Sequence, residues 1–122
     1  MNTALLWTSI AAVGGFGALA RHRLSTLVHR RSGSSFPVGI MVVNLSGSFL
    51  LGLLAGLKPG YEIELIFGGG LLGSYTTLST LVHDTHELFD GSKYRYATLN
   101  LAGSLLLGFV SLAIGYGIGR SL

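Results

Sequence analysis

The stretch Gly68-Gly69-Gly70-Leu71-Leu72-Gly73-Ser74-Tyr75-Thr76-Thr77-Leu78-Ser79-Thr80-Leu81 sets four glycines and then five serines and threonines inside an otherwise apolar segment. Glycine weakens a helix on entropic grounds, and hydroxyl side chains compete for its backbone groups. An interrupted helix is therefore predicted near Thr76. In hydrocarbon, released backbone groups are tolerated only where protein buries them or where they line a watery path, so a break here points to an ion or solute site.

The other polar residues of the apolar segments narrow the chemistry. Asn44, Ser48, Ser79, Thr80, Asn100 and Ser104 are all neutral hydrogen-bond donors, and of the five acids only Glu64 touches a predicted span, at its very start. Neutral donors suit a small anion, which loses water contacts on entering and needs replacements that do not trap it. A cation pump would carry a buried Asp or Glu.

Other motifs carry less. Gly68, Gly70 and Gly73 match G-x-G-x-x-G literally, but no strand precedes them, no acid follows at the right distance, and no Lys follows Gly73 as in a phosphate loop. His83-Asp84-Thr85-His86-Glu87 clusters two imidazoles with carboxylates, yet it is not H-E-x-x-H, and the cluster reads as a polar helix end leaving the bilayer. No Ser-His-Asp set or paired carboxylates suggest catalysis.

The elements that must position these groups follow from composition. With 122 residues, 49% hydrophobic and 11% charged, no cysteine and a mean hydropathy of +0.61, the chain reads as an all-α membrane protein in one membrane domain, 1–122. Crossings are expected at about 4–20, 38–57, 63–82 and 96–118, the third broken in mid-membrane. No Lys or Arg precedes the first apolar run, so it lacks the basic region of a cleaved signal peptide. Leu24, Leu27 and Val28 give part of the first loop an apolar helical stripe that suits the membrane interface.

Two faces predict close helix packing. Asn44, Ser48, Gly52 and Gly56 recur every four residues on the second crossing, as do Asn100, Ser104, Gly108, Gly115 and Gly119, with Ser111, on the fourth. The loops hold Arg21, Arg23, Arg30, Arg31, Lys93 and Arg95 on one side against Lys58 and Arg120 on the other. Six against two predicts one fixed orientation, with both termini outside, and argues against nucleic acid as the reason for the net charge of +3. A path through only four helices is hard to enclose, so at least one more subunit is expected.

Three blocks carry a resemblance over essentially the full length. Gly14-Gly15-Phe16-Gly17-Ala18-Leu19-Ala20-Arg21, then Pro37-Val38-Gly39 through Val43-Asn44-Leu45-Ser46-Gly47-Ser48-Phe49, then Gly73 through Leu81 resemble the signature blocks of the CrcB/Fluc fluoride channels. The resemblance implies an antiparallel, dual-topology-type dimer in a prokaryotic plasma membrane, conducting cytoplasmic fluoride outward through two narrow pores. It also implies a structural sodium ion on the main-chain carbonyls of Gly73 and Thr76, a pore asparagine at Asn44, a hydroxyl track at Ser79, Thr80 and Ser104, and a structural arginine at Arg21.

Departures from the pattern are informative. The family's two pore phenylalanines fall on Leu78 and Leu81, a threonine falls on Ile40, and a tyrosine falls on Asn100. Leucine offers no positive ring edge to an anion. With the charge bias, this suggests a heterodimer whose antiparallel paralogue supplies the missing side chains, rather than a homodimer. The rival readings are a small four-helix drug or cation exporter, for which 4–20 lacks the expected acid, and a non-transporting membrane assembly protein.

Overall fold

The computed structural model describes all 122 residues. It is all-helical, with four spans long and apolar enough to cross a membrane. Helix α1 (Thr3–Ser32) starts where the Asn2 side chain accepts the Leu5 amide at 2.8 Å, and it stops at Gly33, whose φ of 60° suits a residue without Cβ. The expected loop after the 4–20 crossing is corrected. The chain stays helical to Ser32 because Arg21 to Ser32 contains no glycine or proline and is rich in residues compatible with a helix. The basic residues thus ride a helical extension.

Helix α2 (Val38–Leu57) follows Pro37 and ends at Lys58, which adopts a left-handed φ of 50° ahead of Pro59. The third crossing is composite. Helix α3 (Tyr61–Ile63) runs into a π-helical stretch, Glu64–Leu72, and then into the single turn α4 (Gly73–Tyr75). Thr76 and Thr77 are extended, with ψ of 156° and 121°, before α5 (Leu78–Asp90) restarts the helix. The interruption expected near Thr76 is present, but the wide π turns before it were not foreseen, and α5 carries the His83 to Asp90 segment rather than ending at Val82. Helix α6 (Tyr94–Ser121) overruns the expected 96–118 at both ends.

The predicted small-residue faces meet. A Cβ on Gly52 would collide with the Leu112 carbonyl, and one on Gly115 with the Phe49 carbonyl, so α2 and α6 approach backbone to backbone. Val43, Leu72, Leu81, Leu88 and Ala97 form the buried apolar core, whereas Phe16, Leu106 and Phe109 stand exposed, as lipid or a second subunit requires. At one end of the bundle His29 and Arg30 share a cavity of about 690 Å³ with Asp84, Glu87 and Lys93. Glu62 pairs with the N-terminal amine at 3.2 Å. Loops one and three therefore lie at a common end, as the charge count requires.

Candidate functional site

Breaking a helix in hydrocarbon leaves amides and carbonyls that each cost several kcal/mol if nothing bonds them. Asn44 on α2 closes the gap. Its Oδ1 accepts the Thr77 amide at 2.8 Å, and its Nδ2 donates to the Thr77 carbonyl at 2.9 Å. Arg21 on α1 donates to the Ser74 carbonyl at 2.9 Å, and the Ser46 hydroxyl meets the Tyr75 phenol at 2.8 Å. Gly47 lets Thr76 sit against α2, because a Cβ there would strike the Thr76 methyl.

The same bonds decide which carbonyls stay free. In an unbroken helix the Thr77 and Thr80 amides would donate to the Gly73 and Thr76 carbonyls. Here the Thr77 amide bonds Asn44, and the Thr80 amide bonds the Thr77 hydroxyl at 3.3 Å. Gly73 and Thr76 thus keep acceptor oxygens at the break, a donor set of hard oxygens that fits an alkali cation.

Hydroxyls gather on the other side of the gap. Thr77 Oγ1 caps α5 and donates to Thr80 Oγ1 at 3.3 Å, with Ser79 Oγ also 3.3 Å away. Thr80 Oγ1 accepts that bond and donates to no protein acceptor, so its own hydrogen is available. Asn44 has a second Nδ2 hydrogen beyond the one given to Thr77. The N-terminus of the 13-residue α5 adds a positive dipole end at the same level. Beside them a groove of about 270 Å³ opens between α2, α5 and α6, its polar rim made by Asn44, Ser48, Thr77 and Ser104. Uncharged donors and a helix N-terminus around a small space favour an anion.

Of the sequence-predicted residues, Asn44, Thr76, Leu78, Leu81 and Ser104 line this groove together. Ser79 and Thr80 do not; they sit on the first turn of α5 around Thr77, Ser79 exposed and Thr80 half-buried. Leu78 is 66% exposed and Leu81 only 3%, so the two leucines that replace aromatic rings face different surroundings. Sequence reasoning missed Thr77, which bonds Asn44, caps α5 and links the hydroxyls. Its signal was the Thr-x-x-Thr spacing before a restarting helix. It also missed Phe109, the only phenylalanine of α6 and the only aromatic ring on the groove. The His83, Asp84 and Glu87 side chains lie near one another at the helix end, His83 Nδ1 being 3.5 Å from Asp84.

A family model described as CrcB-like protein, Camphor Resistance (CrcB), matches residues 8–116. A relative named fluoride-specific ion channel FluC 2, from Mycolicibacterium paratuberculosis, is 39% identical over 115 residues, covering 94% of each chain. FluC 1 of Geobacillus kaustophilus is 40% identical over 110 residues, 89% of this chain and 94% of its own. FluC 1 of Symbiobacterium thermophilum is 39% identical over 121 residues, 91% of this chain and 98% of its own.

Proposed function

The chain belongs to the CrcB-like protein family, and on that premise we propose that it is a fluoride-specific channel subunit, moving fluoride passively out of the cytoplasm without any enzymatic step. The observation that carries this reading is the Asn44–Thr77 pair, which holds the helix break open and leaves one Nδ2 hydrogen beside the groove. Fluoride would be handed between that hydrogen and the Ser104 hydroxyl along the groove, the hydroxyls of Thr80 and Ser79 continuing the path outside it on the first turn of α5. Each donor replaces part of a hydration shell without adding a fixed positive charge that would hold the ion. A sodium ion on the Gly73 and Thr76 carbonyls would fix the break by charge, and Arg21 on the Ser74 carbonyl draws that oxygen away from the free pair.

The groove opens sideways, and Leu78 faces outward on it. That geometry supports assembly with a second, antiparallel subunit that closes the groove into a pore. Leucine at both aromatic positions and the six-to-two basic bias favour a paralogue over a second copy, leaving one pore functional and the other vestigial. The experiment is fluoride efflux from vesicles, read with a fluoride electrode, for the purified chain alone and for the chain co-purified with an oppositely inserting relative. Flux is expected only from the pair; robust flux from the chain alone would overturn the partner requirement.

A further inference from the structure

Two buried polar atoms have no bonding partner in the protein, and both lie on α6: Asn100 Oδ1 and Ser104 Oγ. Asn100 is 1% exposed and Ser104 6%. The amide orientation of Asn100 is set by its neighbour. Thr85 Oγ1 donates to the Leu81 carbonyl at 2.8 Å, so it can only accept from Asn100 Nδ2, at 2.9 Å. Oδ1 is therefore the free end, an acceptor that needs a hydrogen. It cannot serve an anion directly.

Ser104 stands one helical turn on, on the same face, where side chains four residues apart are about 5–6 Å apart at Cβ. A single water that gave one hydrogen to each atom would satisfy both. A second subunit cannot supply the partner, because Asn100 is covered by its own chain. We propose that Asn100 holds a trapped water that donates one hydrogen to Asn100 Oδ1 and the other to Ser104 Oγ, so that the Ser104 hydrogen is turned into the groove beside Asn44. Asn100 is then a positioning residue that acts through Ser104. The water stands independently of function; its consequence for conduction rests on the fluoride reading above.

Two measurements decide it. In the wild-type protein with labelled asparagine, magnetisation transfer from long-lived water to the Asn100 side-chain amide is expected, and its absence overturns the proposal whether or not any variant folds. In fluoride efflux from vesicles holding the assembled channel, Asn100→Leu is expected to slow flux about tenfold, the worth of one aimed hydrogen bond. The same change in a Ser104→Ala background should slow it no further, because the two act as one unit. An equal loss in both backgrounds, or no loss from Asn100→Leu in a folded channel, overturns the positioning role. Were the wild type to pass no fluoride, the fluoride reading would fail while the magnetisation transfer still decided the water.

Discussion

Asn44 bonds Thr77 and, on the proposed reading, also offers a hydrogen to the anion, two tasks that substitution can separate. Asn44→Leu removes both bonds to Thr77 and leaves an amide and a carbonyl unpaired at membrane depth, a loss of about 2–5 kcal/mol. It is expected to fail as a folded protein by size-exclusion chromatography. Asn44→Asp keeps an acceptor for the Thr77 amide but has no donor for an anion and adds a like charge. Its carboxylate also has no hydrogen for the Thr77 carbonyl, so it should be less stable than the wild type, with fluoride efflux abolished in the folded fraction; efflux at the wild-type rate from that variant would remove Asn44 from the pathway. Arg21→Gln loses a charged hydrogen bond to the Ser74 carbonyl and should lower stability by about 1–3 kcal/mol in a thermal melt. That Asn44 would be engaged within the protein was legible because an amide in an apolar run needs a reason. Thr77 was not, because one threonine among several carries no mark until the backbone turns at it.

At the scale of elements, the contact of α2 with α6 depends on glycine. Gly115→Val would place a side chain against the Phe49 carbonyl and push the two helices apart, and circular dichroism melting should show a loss of at least about 1–3 kcal/mol. Fully wild-type melting would mean that the helices are held by something other than this close approach. The number of helices, the ridges at Gly52 and Gly115 and the break near Thr76 were all readable, since hydropathy, four-residue spacing and glycine-hydroxyl clustering each act locally. The 38–57 helix was readable in its bounds, because Pro37 and the Lys58-Pro59-Gly60 turn mark its ends. Two features were not. Helix α1 continues past Arg21 because charge marks the membrane edge without stopping a helix, and no residue pattern marks the π-helical run Glu64–Leu72.

For the molecule as a whole, the sodium ion proposed at the break can be tested directly. Replacing sodium by a large organic cation in every buffer should lower the melting temperature by several degrees, since an ion bound only to the folded state stabilises by mass action. An unchanged melt would argue against a cation on the Gly73 and Thr76 carbonyls. On the proposed reading, the sideways groove, the outward Leu78 and the basic residues gathered at one end leave a single chain an incomplete conductor. The most direct measurement is electrode-monitored efflux from vesicles carrying the chain assembled with an oppositely oriented relative, fluoride compared with chloride at equal gradients. Fluoride should leave rapidly while chloride stays behind. Equal rates for the two halides, or no fluoride efflux from the assembled pair, would contradict the account.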